Sequence, residues 1–442
     1  MPRRAAPPPR TIAPKTLVVD NGGYTIKAGY ASASPSLQDC QIIPNCIARS
    51  REKKTYVGSR LHDAEDYGEM QFRRPVEKGF VVNWESERAV WEESFFGARA
   101  DVPVDPHETN LILTEASNCP QALQTNCDQI VFEEFEFAAY HRTLASILAS
   151  HNDIQSLFPS PSPSPSTPSP PPSGTQPLLL IDSGYSHTLL TPLLTHAPLQ
   201  SSCRRLDIGG KLLTNLLKES LSIRNFSMID ELHLVNAIKE CLCHLAVSPA
   251  DFSTQLDRNW KAADPTAIVD VVLPDYSTRS EIVCREHDPS ASAKRRNLLG
   301  GPAGPREYVL PIGNEKFAVP ELLFRPTDIG LQEAGLPDVA MRCLENVPQA
   351  IAAGCLANVV VMGGNAKMAG FAERLSGELR MLVPEGWGVR VGVPEDPVKF
   401  AWMGGARWAG DGEGLKDVVV TREEYLENGA GWLLRKFSNR GA

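Results

Sequence analysis

An α/β protein with two similar halves is what this sequence predicts, and three short segments carry the prediction. TLVVD at 16–20, LLLID at 178–182 and VVVMGG at 359–364 are continuous apolar runs, and each ends in a glycine-bearing turn. A short apolar run bounded by a turn signal reads as a strand buried on both faces. Strands that deliver their C-terminal ends to glycine turns are how α/β sheets build a site. Because the first two runs also end in Asp, the halves look like an internal duplication.

The intervals between these strands read as helices. IGGKLLTNLLKESL places Ile208, Leu212, Leu216 and Leu217 on one stripe, and DELHLVNAIKECLCHLAV places Leu234, Ile238, Leu242 and Leu245 on another, with Asp230 as a candidate cap. GFAERLSGELRMLV follows the third glycine turn, so its N-terminus faces that turn and is positioned for an anion.

Composition bounds the rest. The 442 residues carry 44 Lys plus Arg against 53 Asp plus Glu, a formal charge of -9, so no global cationic field is present to hold nucleic acid. The ten cysteines form no CxxC pair and no zinc spacing, and they read as reduced thiols. Cys241 and Cys243 lie two apart on a helix and face different directions, which argues against a metal pair. Residues 1–15 are expected to be a disordered Pro-rich tail, and no apolar stretch of membrane-spanning length occurs. The Pro-Ser tract 159–177 is expected to be a disordered insert, since proline removes backbone donors and the tract has little to bury. A third such stretch, 285–306, contains the basic run Lys294, Arg295 and Arg296, read as a solvated loop.

Chemistry concentrates at the turns. In DNGGYTIKAGY (20–30), glycines let backbone amides approach a phosphate, Lys27 is a mobile cation, and Asp20 can join a magnesium shell through water. Alone, this is also what an ordinary glycine hairpin with a surface lysine looks like. A second Asp-Ser-Gly turn at 182–184 sharpens it, because paired hairpins from two halves can clasp a polyphosphate from opposite sides.

These residues resemble the actin and actin-related protein superfamily, whose phosphate loops read DNGSGxxKAG and DSGDGVTHT and whose adenosine loop reads SGGTTMYPG. Here they stand as DNGGYTIKAG, DSGYSHTLL and MGGNAKMAG. RRPVEKGFVVNWESERAVWEESF resembles the family's connecting motif, and CDQIVFEEFEF the region around its water-positioning glutamine. RLDIGGKLLTNLL, NEKFAVPELLFRP and FAWMGGARWA follow in the family order. The resemblance implies an actin-like, ribonuclease H-like duplicated fold of two lobes and four subdomains around a central nucleotide cleft. It implies subdomain 1 over 16–41, 74–158 and 400–442, and subdomain 2 over 42–73 with a shortened loop. Subdomain 3 is expected over 178–206 and 308–399, and subdomain 4 over 207–307.

Carried over residue by residue, the resemblance implies ATP or ADP with magnesium held by Asp20, Asn21, Gly22, Gly23, Lys27, Asp182, Ser183, Gly184, Lys239, Glu240, Gly363, Gly364 and Lys399. Asp20 and Asp182 are the carboxylates for the metal shell, and Gln129 is the water-positioning candidate. Met368 stands where the family often has a tyrosine beside the adenine, and Trp84, Trp91 and Trp402 stand as core anchors. The departures lie near the phosphates. Gly23 and Tyr24 replace Ser-Gly, Tyr185 and Ser186 replace Asp-Gly, and the ungapped alignment to Pro192 puts Leu189 at the family's histidine with His187 two residues earlier. Negligible ATPase is therefore expected, leaving two readings of the cleft: a nucleotide bound without turnover, or a purely structural relic.

PNCIARSREKKTYVG, DSGYS, VLPDYST, RPTDIGLQEAG and VVTREEYLENG are similar to one nuclear branch of the superfamily and unlike actin itself. That similarity implies a structural subunit of a Swr-type chromatin-remodelling complex that exchanges a variant histone into nucleosomes. Its partners would be the complex's ATPase subunit, a small zinc-finger subunit and histones or the nucleosome, in the nucleus with some cytoplasm. The segment Pro44 to Tyr56 is short and basic (Arg49, Arg51, Lys53, Lys54) where actin has a long filament-contact loop, so no homopolymer is expected. The alternatives are a cytoplasmic actin-related protein or an ATP-dependent switch with weak ATPase. A sugar kinase or chaperone ATPase would need an intact catalytic carboxylate at the second loop, which is absent.

Overall fold

Six-stranded sheets organise the two halves of the computed structural model, which describes residues 13–158, 176–224, 227–261, 265–274, 281–288 and 308–438. Most of the N-terminal tail, the Pro-Ser tract to residue 175 and the run at 294–296 lie outside the described residues.

In the first sheet, β1 (Lys15–Asn21) pairs antiparallel with β2 (Thr25–Tyr30), which pairs with β3 (Gln41–Pro44). On its other side β1 runs parallel to β9 (Thr109–Glu115), then β10 (Ala139–Leu144), with β20 (Val420–Thr421) at the edge. The second sheet repeats the plan. There β11 (Leu178–Ser183) forms a hairpin with β12 (Thr188–Leu194) and runs parallel to β18 (Val359–Met362) and then β19 (Val391–Gly392). The short β13 (Ala197–Pro198) and β14 (Arg204–Leu206) both pair with β12. Hairpin followed by parallel strands, twice, is the duplication that the three apolar runs predict.

The uninterrupted apolar runs follow from cores on both faces of each sheet. Leu17 and Val19 of β1 pack with Trp91, Phe95 and Phe132, whereas Val18 packs on the opposite face with Ile112, Leu148 and Trp402. In β11, Leu179 and Ile181 join the large core of the second half, and Leu178 and Leu180 pack with Phe158, Val360 and Phe400. Trp91 and Trp402 are fully buried, so truncating either would cost on the order of 3–5 kcal/mol. Trp84 is half-buried, edge-on to Trp91 at 6.2 Å, so all three tryptophans serve packing.

Two smaller sheets complete the layers. One holds β4 (Ile47–Arg49), β5 (Thr55–Val57) and β6 (Gln71–Arg73); the other holds β15 (Val269–Val272), β16 (Val283–Glu286) and β17 (Val309–Ile312). β7 (Val76–Glu77) and β8 (Phe80–Val81) form a separate two-stranded ribbon. Because β4 and β5 pair directly, the basic residues at 49–54 sit on one tight turn with Lys53 at φ 68°.

Among the helices, α1 (Trp84–Trp91), α2 (Gln121–Gln129) and α3 (Ala145–Ser150) belong to the first half. The second contributes α4 (Gly210–Arg224) and α5 (Leu232–Leu242), and the helix after the third glycine turn spans Phe371–Leu382. Three details differ from expectation. Leu213, Leu217 and Leu221 form the buried stripe of α4, while Leu212 and Leu216 are half-buried and Ile208 precedes the helix. Leu245 is buried but lies beyond α5. Asp230 does not cap α5; Glu231 holds the N-cap position without a capping bond, and its carboxylate instead accepts the amide of Glu69, two residues before β6, at 3.3 Å. No described helix is long and apolar enough to cross a membrane.

Candidate functional site

The C-terminal ends of β1, β9, β10, β11 and β18 converge on one cavity of about 430 Å³ between the halves. Hairpin geometry sets its chemistry. In the first hairpin Asp20 and Lys27 are cross-strand partners, and the Lys27 ammonium lies 3.3 Å from the Asp20 carboxylate. Thr114, at the end of β9, donates its hydroxyl to Asp20 at 2.9 Å and accepts the Asn21 amide at 2.9 Å, which ties the hairpin tip to the next strand. Behind the tip, Asn45 donates to the Gly22 carbonyl at 3.1 Å and to the buried Glu87 carboxylate at 3.2 Å. Burial pushes Glu87 up to about 7, against the lowering effect of its Asn and Trp91 donors.

The second hairpin repeats the backbone with different side chains. Asp182 pairs in register with Leu189, so no cation faces it across the strands. Burial first, and the negative charge of Asp20 second, raise Asp182 to about 6, with Lys27 acting in the opposite sense. Ser183 is fully buried and turned away from the cavity, sharing a hydrogen bond with Thr188 and accepting one from Asn365 at 3.1 Å. Asn365 also donates to the Gly184 carbonyl at 3.0 Å, which links the third glycine turn to the second. Gly363, at φ 93°, permits this: a Cβ there would collide with the Ser183 carbonyl oxygen.

Gly363, Gly364 and the half-buried Met368 form one end of the cavity, with Lys239 and Glu240 of α5 facing it. Lys239 is committed to the protein. Its ammonium donates to the Asn236 side-chain oxygen at 2.8 Å, the Thr214 hydroxyl at 2.9 Å and the Gly210 carbonyl at 3.2 Å, and burial lowers its pKa. Glu240 accepts from Asn236 at 2.8 Å.

Next to this wall the hairpin tips meet. A Cβ added to Gly23 would stand 2.6 Å from the Ser186 hydroxyl. The Tyr24 and Tyr185 rings lie 4.9 Å apart, and Arg74 sits 4.2 Å from the first ring and 5.4 Å from the second. Arg74 also donates to the Tyr24 carbonyl at 3.1 Å and the Asn45 carbonyl at 3.2 Å. Across the cleft, Asn236 donates to the Tyr24 hydroxyl at 2.9 Å. Burial raises the Tyr24 phenol to about 12, so it stays neutral.

Asp20, Asn21, Gly22, Gly23, Lys27, Asp182, Gly184, Lys239, Glu240, Gly363 and Gly364 all line the cavity. Three of the predicted residues do not: Ser183, buried behind the second hairpin, Gln129 and Lys399. Gln129 is exposed at the end of α2, and no glutamine lines the cavity among the described residues. The side chain that β10 delivers there is Leu144, followed by Ala145 and Ser146. Lys399 is spent on the Leu37 carbonyl at 2.7 Å and the Cys40 carbonyl at 2.8 Å, although Pro397, Val398 and Ala401 beside it reach the cavity. His187 and Leu189 both line it, and burial with the nearby Arg205 charge lowers His187 to about 4, so its imidazole is neutral. Arg74, Asn236 and Leu144 were not singled out by the sequence reading. Only Asn236 leaves a trace there, three residues before Lys239 and hence on the same helical face.

The set suits a nucleoside phosphate with a cation: a glycine cradle, the Asp20 and Asp182 carboxylates at the hairpin tips, and the Lys27 ammonium beside Asp20. No group of three or more metal-ligating side chains occurs among the described residues, so a magnesium ion would keep water in its shell. Away from the cleft, Cys243 is buried and the exposed Cys241 lies 3.1 Å from Cys284, sulfur to sulfur.

Comparison with known proteins agrees with this geometry. The actin family profile matches residues 13–438. "Actin-related protein 6" of Neurospora crassa is 44% identical over 99% of this chain and 96% of its own length. "Actin-like protein arp6" of Emericella nidulans is 43% identical over 97% and 96% respectively. "Actin-related protein 6" of Drosophila melanogaster is 32% identical over 95% and 98%.

Proposed function

Because this chain belongs to the actin family, we propose that it is a non-polymerising, nuclear actin-related protein, a structural subunit of a Swr-type chromatin-remodelling complex that exchanges a variant histone. The actin fold binds nucleotide with magnesium, and here the nucleotide is held without being hydrolysed. The observation that carries the non-enzymatic part is the lining of the phosphate end. Hydrolysis requires an oriented water and groups that stabilise charge on the departing phosphate. Leu144, Leu189 and the Tyr24 ring supply neither, and the neutral His187 adds no positive charge.

The residues that would hold the nucleotide are the glycines of the third turn around the nucleoside, Lys27 on the phosphates, and Asp20 with Asp182 around a hydrated magnesium ion. The ion's contribution is charge neutralisation. Lys239 and Glu240 act by bracing the wall through Asn236 and Thr214. The assignment to a histone-exchanging complex rests on the likeness of segments such as 44–58 and 419–429 to that nuclear branch. The tight β4–β5 turn supports single use in an assembly, since it offers no long loop to a neighbouring copy.

Tagged full-length chain recovered from cells should bring down remodeller subunits, including an ATPase and a small zinc-finger subunit, together with histones. Recovery of microtubule or cortical proteins in their place would assign it to a cytoplasmic role. In magnesium and salt, the purified chain should stay in the supernatant under conditions that pellet actin.

A further inference from the structure

The phosphate end of the cavity differs from its nucleoside end in one respect that bears on which nucleotide fits. The nucleoside end is open: nothing lies within 4 Å of a Cβ built on Gly364. At the phosphate end the two hairpin tips, one from each half, are already in contact through Gly23 and Ser186, with no gap between them for a phosphate group. The Tyr24 and Tyr185 rings close the same place, packed on each other at 4.9 Å. Three attachments hold them. Asn236 fixes the Tyr24 hydroxyl from the opposite half, Arg74 holds the Tyr24 backbone carbonyl, and the Arg74 guanidinium lies against both rings. Arg74 does not line the cavity; an anion must displace the rings to reach it. Of the cations that line the cavity, Lys27 lies 3.3 Å from Asp20, Lys239 is bonded within the protein and Lys367 pairs with Asp396 at 3.6 Å.

We infer that Tyr24 and Tyr185, clamped by Arg74 and Asn236, stand where a terminal phosphate would lie, so that the cleft takes a nucleoside diphosphate and discriminates against the triphosphate. This rests on the proposal that the cleft holds a nucleotide, and it assigns the ligand class within it. Tyr24 is a specificity-determining residue: its ring is a steric stop, and its hydroxyl is an anchor that keeps the ring from swinging aside. Displacing it exposes an aromatic surface and leaves Asn236 with one acceptor fewer, which opposes entry of a third phosphate.

The test is a fluorescence titration of full-length, nucleotide-stripped protein with a fluorescent adenosine diphosphate and a fluorescent non-hydrolysable triphosphate, both with magnesium. The parent should bind the triphosphate at least tenfold more weakly. Tyr24→Gly should bring the two within about twofold. Tyr24→Phe, which keeps the ring but loses its anchor to Asn236, should give a ratio between those of the parent and Tyr24→Gly. Should Tyr24→Gly lose its far-ultraviolet circular dichroism, Tyr185→Ala opens the same place from the other hairpin and should narrow the ratio likewise. Equal binding of both nucleotides by the parent overturns this inference and leaves the nucleotide reading standing, as does an unchanged ratio in a folded Tyr24→Gly or Tyr185→Ala protein. Failure of the parent to bind either one overturns the nucleotide reading, and this inference with it.

Discussion

The two hairpins that face each other across the cleft share a backbone and differ in charge. Each is an antiparallel pair whose first strand carries Asp next to its C-terminal residue and has a parallel strand on its other side. In the first, Asp20 has Lys27 across the strands and the Thr114 hydroxyl beside it. In the second, Asp182 has Leu189 across the strands and is raised to about 6 by burial and by Asp20. Duplication preserved what the strands need, apolar residues on both faces and a turn, while the polar positions specialised. One carboxylate is paired with a lysine across the strands, and the other faces a leucine.

The largest expected effect comes from uncoupling the hairpins. Arg74→Ala removes two charge-assisted hydrogen bonds to carbonyls and a cation over two rings, and should lower stability by about 3 kcal/mol. Urea denaturation checks this as a lower midpoint at unchanged slope. A change below ~0.5 kcal/mol would mean that the hairpins are held apart from Arg74 by their own halves.

Next come two identical substitutions with opposite signs. A raised pKa in the folded state means that Asp182 costs stability when ionised. That penalty is complete above about pH 6, fades as pH falls through the folded value, and is gone below the unfolded value of 3.8. In ligand-free protein Asp182→Asn should therefore stabilise by about 2 kcal/mol at pH 7.5, allowing for partial solvent access, and by almost nothing near pH 4. Asp20→Asn should destabilise by about 1 kcal/mol at pH 7.5, because it strands the Lys27 ammonium. Thermal melts of both variants across pH measure the contrast. If both substitutions shift Tm in the same direction, the specialisation of the hairpins is wrong.

Much of this arrangement was legible in the sequence, for identifiable reasons. Apolar runs at 16–20, 178–182 and 359–364 announced strands because both of their faces are covered, and glycines at 22, 363 and 364 marked where the chain lines the cavity. What stayed hidden depends on contacts between remote residues. Lys399 reads as a cleft cation until its acceptors prove to be the carbonyls of Leu37 and Cys40. The Tyr24–Asn236 contact spans 212 positions. Gln129 was misplaced because a matching segment fixes neither which face of α2 turns outward nor that β10, with its polar AYHRTL, ends on Leu144 at the cavity. In LLTNLL the adjacent leucines allow two helical phases, and only packing against neighbouring elements selects 213 and 217 over 212 and 216.

The central claim is that this actin-family cleft holds its ligand without chemistry. The most direct measurement is phosphate release from labelled ATP by the purified full-length chain with magnesium, in single-turnover conditions. Release at the rate of buffer alone, unchanged by Asp182→Asn, is the predicted result. Release that scales with protein concentration and disappears in Asp182→Asn would contradict the account.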